Sequence, residues 1–156
     1  MSSRIERATF VGLVLLFLMR ERIPWIGGIA AGVTEAEHEV YYRYTVIGYV
    51  KDAKGKPVRG REVKIIRDKT GFSYLGESDA KGLYVVVIRL GDESLGERLT
   101  LRTGALTTRI SVRFDVDNRR DERGTRIDVD GTRVVERAAW FPSTLSLFLG
   151  AAGRTE

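Results

Sequence analysis

Between Val40 and Val135 the chain is a succession of short apolar runs at period two, cut by turn clusters. Val40–Val50, rich in Tyr, Val and Ile, reads as an entering strand in which Thr45, Ile47 and Tyr49 face away from Val46, Gly48 and Val50. Asp52–Pro57 forms the first turn, with Gly55 able to take a positive φ and Pro57 opening the next strand. Val63 and Ile65 share one face of that strand with Arg61 and Arg67 at its ends, and Asp79-Ala80-Lys81-Gly82 is the next turn. Leu83–Leu90 is apolar on both parities, which predicts a central strand covered on both sides, with the Tyr84 hydroxyl at the rim. Leu99 and Leu101 alternate with Thr100 and Arg102, and Thr108, Ile110, Val112 and Phe114 alternate with Arg109, Ser111 and Arg113. Asp115–Gly124 is a charged loop, and Asp130-Gly131 joins Ile127–Val129 to Thr132–Val135 as a two-residue hairpin. The count is seven or eight strands.

Both ends break this texture. Arg4 and Arg7 precede Ala8–Met19, an apolar run containing Phe10, Leu13, Leu16 and Phe17 and interrupted at Arg20-Glu21-Arg22. A second apolar stretch, Ile23–Val33, follows. A basic start before an apolar run is the pattern of an export signal or of a retained membrane anchor. Cleavage after Gly32 or Ala36, translation from Met19, and retention as an anchor all fit. At the other end Ala138–Gly153 carries no charge: Trp140 and Phe141 come first, Pro142 suits a first helical turn, and Leu145, Leu147, Phe148 and Leu149 follow. Sixteen helical residues would reach about 24 Å, marginal for a bilayer. Trp140, Phe141, Leu145 and Phe148 are therefore expected, with Phe10, Leu13, Leu16 and Phe17, to contact a membrane or a partner subunit. A helix or strand closing the domain is the competing use of this tail.

Gly48, Val50, Asp52, Gly55, Pro57, Val58, Gly60 and Val63, then Asp79, Gly82, Tyr84 and Val86, follow one another as in the carboxypeptidase regulatory-like (transthyretin-like, or prealbumin-like) β-sandwich family, which the chain resembles over residues 40–115. The resemblance implies an all-β, seven- to eight-stranded Greek-key, Ig-like sandwich, and a module that is accessory rather than catalytic. The organisation expected is a signal or anchor over 1–36, the sandwich over 37–137 and an apolar tail over 138–156, with the apolar ends helical.

The absence of cysteine excludes disulfides, thiolate metal sites and cysteine catalysis. The net charge of +5 comes from 26 basic residues interspersed with 21 acidic ones. Without a recognisable motif, that balance describes an Arg-rich solvated surface, and no nucleic-acid partner is expected. His38, the single histidine, lies in an acidic stretch and reads as a linker residue. A purine-pathway hydrolase shares the transthyretin-like fold, but neither its several histidines nor its terminal Tyr-Arg-Gly-Ser signature is present. No phosphate loop or nucleophile elbow occurs either. Asp115, Asp117 and Asp121 are weak candidates for a hard cation, since their spacing lacks the glycine and terminal glutamate of an EF-hand.

The function expected is thus a non-catalytic accessory or structural subunit without a cofactor, located in the cell envelope. Its β-domain would sit on the extracytoplasmic side and contact other subunits or further copies of itself. A secreted building block assembling by strand addition is the first alternative. The second is a ligand- or glycan-binding module using Tyr41, Tyr42, Tyr44, Tyr49, Phe72 and Tyr74 as a stacking face.

Overall fold

The computed structural model describes residues 42–154, and the expectations placed on 1–41 lie outside them. Eight strands form: β1 (Arg43–Lys51), β2 (Glu62–Arg67), β3 (Ser73–Glu77), β4 (Leu83–Arg89), β5 (Arg98–Thr103), β6 (Leu106–Ser111), β7 (Gly124–Asp130) and β8 (Arg133–Glu136). Short 3-10 turns occupy Asp92–Ser94 and Ala138–Trp140, and one helix, α1 (Phe141–Ala152), closes the described chain. The strands make two four-stranded sheets, ordered β4-β1-β7-β8 and β3-β2-β5-β6. β1 and β7 run parallel, and the other paired strands are antiparallel.

Period-two alternation explains the core. Tyr44, Val46, Val50, Val86, Ile88 and Ile127 from the first sheet meet Val63, Ile65, Leu99, Leu101 and Ile110 from the second in one buried cluster. Each fully buried aliphatic side chain contributes about 1.5–3 kcal/mol, so this cluster is the main source of stability.

β4 departs from expectation. It is an edge strand, and β1 and β7 are the interior ones. β4 is apolar on both faces because α1 covers its outer side: Phe141 and Leu145 pack on Ile47, with Leu83, Val85, Phe148 and Leu149 around them. The tail therefore belongs to the domain. Pro142 stands in the first turn of α1, where a missing N–H costs nothing.

The two loops with the sequence Asp-Ala-Lys-Gly are built alike. In the first, Asp52 Oδ1 accepts the N–H groups of Lys54 and Lys56, at 2.8 and 2.9 Å, and Gly55 takes φ 80°. In the second, Asp79 Oδ1 accepts those of Lys81 and Leu83, at 2.8 and 3.0 Å, and Gly82 takes φ 78°. Each aspartate satisfies backbone donors that no strand could reach. The loops are neighbours, since Val50 N–H donates to the Gly82 carbonyl at 2.7 Å.

Candidate functional site

The parallel ladder between β1 and β7 is interrupted. Ile47 pairs with Arg126 and Val50 with Val129, but no pair forms at Gly48 and Tyr49. Two side chains take over there. The Tyr49 N–H donates to Asp128 Oδ1 at 3.0 Å, and the Tyr84 hydroxyl donates to the Ile127 carbonyl at 2.6 Å. To get there, the Tyr84 ring lies against Gly48, its partner across the β1–β4 pair. A Cβ on Gly48 would stand 1.8 Å from the Ile127 carbonyl oxygen and 3.1 Å from the Tyr84 ring. Tyr84 is thus buried with its hydroxyl in mid-sheet, not at the rim. Burial pushes its phenol well above the ordinary range.

Asp128 is the hub of the outer face of the first sheet. Its carboxylate receives Arg126 Nε at 3.0 Å and Nη2 at 2.8 Å, together with Arg137 Nη1. Arg126 Nη1 also donates to Thr144 Oγ1 at 3.0 Å, and the Thr144 hydroxyl donates to the Trp140 carbonyl at 2.7 Å. The Arg126 guanidinium stands 5.0 Å from the Tyr49 ring and 5.2 Å from that of Trp140, and Arg137 stands 5.4 Å from the same indole. One buried carboxylate thereby ties β7, the segment after β8 and the start of α1 together. Sequence reading missed this hub. Its signal is that Arg126, Asp128 and Asp130 share the parity opposite Ile127 and Val129, on a face that the apolar tail comes to cover.

Charge pairs lock the other end of the molecule. Arg43 is buried and forms a two-pronged pair with Glu122, its Nε lying 2.8 Å from Oε2. Arg123 and Arg119 both reach Asp92, at 2.7 Å each, and Arg123 also lies 4.0 Å from the Phe114 ring centre. The hydrogen bond from Arg123 holds the Asp92 carboxyl below its usual range. Arg67 grips Glu97 at 2.7 and 2.9 Å, which lowers the Glu97 carboxyl and raises the Arg67 guanidinium.

The expected contact residues divide. Phe141 and Leu145 are each 4% exposed and Phe148 is half-buried, so their apolar surface serves the domain itself. That corrects the expectation that they face outward. Trp140, at 53% exposure, does face outward, as does Leu147 at 69%. Phe10, Leu13, Leu16, Phe17 and His38 lie outside the described residues.

Asp115 Oδ1 accepts the Asp117 N–H at 2.9 Å, and Asp121 is held by the Asn118 amide at 2.8 Å. Among the described residues no group of three acidic or imidazole side chains is arranged to hold a metal. The proposed stacking face does not assemble either. Tyr41 lies outside the described residues, Tyr44 is in the core, Tyr49 lies by Arg126, Phe72 lies in the turn before β3 and Tyr74 is in β3 of the second sheet. No described helix is long and apolar enough to cross a membrane.

What the described chain defines is a mostly β domain of two four-stranded sheets with a C-terminal helix on one outer face. No family model matches the chain, and no curated protein matches it. Among solved structures it is similar to the dioxygenase domain of a dioxygenase–carbohydrate-binding protein fusion from Streptomyces sp. SirexAA-E, at 17% identity over 61% of this chain and 75% of that one, TM-score 0.39. It is also similar to (S)-allantoin synthase, at 10% identity over 76% of this chain and 59% of that one, TM-score 0.44. A third is catechol 1,2-dioxygenase from Pseudomonas arvilla C-1, at 17% identity over 81% of this chain and 64% of that one, TM-score 0.38. The chain spans less than two thirds of the latter two, and at these scores the likeness carries no argument about activity.

Proposed function

We propose that this chain is a non-catalytic accessory or structural subunit, exported or membrane-anchored, whose β-domain braces or caps a larger envelope assembly. One observation carries the reading: the buried carboxylate and guanidinium side chains are committed to one another. Asp128 is shared between Arg126 and Arg137, Arg43 faces Glu122, and Arg67 faces Glu97. Groups so engaged stabilise a shape; a general acid or base needs a carboxyl poised to exchange its proton. The exposed Trp140 and Leu147 give the helix side apolar surface for a neighbour, and Trp is favoured at such contacts.

The finer fold assignment, a prealbumin-like Greek-key sandwich, rests on the Asp, Gly and Pro positions of the two Asp-Ala-Lys-Gly loops. The envelope location rests on the apolar runs Ala8–Met19 and Ile23–Val33 behind Arg4 and Arg7.

Fractionation of cells making the native chain tests the proposal. The expected result is sedimentation with membranes, release by detergent only, and an intact mass that retains Met1 or Met19. A chain beginning near Glu37 in sheared surface material supports the strand-adding building block instead. A freely soluble chain that turns over a substrate unaided overturns both.

A further inference from the structure

Charge is distributed unevenly between the two ends of the domain. Arg43, Arg67, Arg119 and Arg123 at one end and Arg126 and Arg137 on the outer face are held in ion pairs, while the other end carries Lys51, Lys54, Lys56, Arg59, Arg61 and Lys81, all exposed. Four of the six lysines of the whole chain are among them. Among the described residues no acidic side chain forms an ion pair with any of these six. From Lys51 to Arg61 five basic side chains stand against the single carboxylate of Asp52. The carboxylates of Asp52 and Asp79 turn back onto their own loop N–H groups, which leaves the lysines outermost. The acids beside this patch are Glu77, near Gly60, its β2 partner Glu62, and Asp130, which stands opposite Lys51 across β1 and β7.

The loops hold these charges in a fixed frame. The Asp52 and Asp79 turns are the same structure built twice, and they touch: a Cβ on Gly82 would lie 3.4 Å from Pro57. Gly131 packs on Ala53, and Arg61 lies over Gly104. Lysine is a strongly hydrated point charge on a flexible stem, suited to following a charged chain rather than to clasping one carboxylate in a fork.

We propose that this end binds a linear acidic polysaccharide through these lysines and arginines. The other polyanions fit less well. The large apolar side chains exposed on the domain are Tyr42, Phe72, Leu95, Trp140 and Leu147, and none stands on these loops. Nothing here stacks on a base, wedges into a bilayer or forms the apolar centre of a protein interface. Charge along a flexible polymer is the chemistry that remains. The inference rests on the loops alone and is independent of where the N-terminal segment resides.

The test uses the full chain in mild detergent with fluorescein-labelled heparin as probe and polygalacturonate as competitor. Single-stranded oligonucleotide and phosphatidylglycerol vesicles are compared at equal charge. Heparin binding that polygalacturonate competes, and that falls roughly tenfold or more between about 50 and about 200 mM salt, is expected for several point-charge contacts. Lys54→Glu with Lys81→Glu should weaken it by roughly tenfold at fixed salt. Lys69→Glu with Arg98→Glu, the same charge change at the opposite end, should weaken it by less than about twofold. Melting curves of both variants confirm folding. No heparin binding at about 150 mM salt, equal losses in the two variants, or tighter binding to the oligonucleotide or the vesicles overturns the proposal.

Discussion

Asp128 accepts hydrogen bonds from three residues, Tyr49, Arg126 and Arg137. It replaces a missing ladder bond at Tyr49 and holds Arg126 and Arg137 against Trp140. Removing one member of a buried ion pair leaves the others uncompensated, so Asp128→Asn should cost about 3 kcal/mol. Thermal melting should then fall by on the order of 10 °C, with Trp140 fluorescence reporting a loosened indole. An unchanged melting temperature would mean that the two arginines find equal partners in water. Tyr84 follows the same logic in reverse. Its aromatic, core-facing character was legible from the alternation along β4, but its hydroxyl was assigned to the rim because the sequence does not reveal that Gly48 opens a path to the Ile127 carbonyl. A glycine in a strand is a sign of close approach, and what approaches is decided by pairing between strands far apart in sequence.

At the scale of elements, the strands and turns were legible and their order within the sheets was not. Both Asp-Ala-Lys-Gly turns stand where local turn chemistry puts them, with Gly55 and Gly82 at positive φ, whereas the β7–β8 hairpin falls one residue later than expected: Asp130 pairs with Arg133, so the two-residue loop is Gly131-Thr132, with Gly131 alone at positive φ. β4 was misplaced because an edge strand under a helix and a central strand between two layers have the same composition. The sequence leaves the use of the tail open between two readings for a related reason: an apolar helix of 12 residues carries no mark of whether its partner is its own sheet or a neighbour. Side-by-side substitutions separate these uses. Leu145→Ala should destabilise the isolated chain by about 2–4 kcal/mol in denaturant unfolding. Leu147→Ser should change it by less than about 0.5 kcal/mol yet weaken association with a partner. Equal, small effects from both would remove α1 from the core.

For the whole molecule, titration behaviour follows from how charges are paired. The hydrogen bond from Arg67 lowers the Glu97 carboxyl below its ordinary 4.5, and the bond from Arg123 does the same to Asp92 from 3.8. A lowered carboxyl contributes stability above its unfolded pKa and loses it as pH falls through the folded one, so stability should be flat near neutrality and decline below about pH 4.5. Burial raises Tyr44 from 10.0 to about 12. A raised phenol favours the folded state up to its unfolded pKa, and that contribution is lost progressively as pH climbs from about 10 to about 12. Denaturant midpoints measured across both windows check the two slopes; a midpoint that rises on acidification below about pH 4.5 would contradict the pairing.

The domain is a scaffold whose buried charges are paired with one another and whose Trp140 and Leu147 are exposed. The direct measurement is the native mass of the chain released from cells in mild detergent. The expected result is a particle several times heavier than the 17.5 kDa chain, containing it in fixed stoichiometry with other subunits or with copies of itself. A lone 17.5 kDa species free of membranes and partners would contradict the assignment.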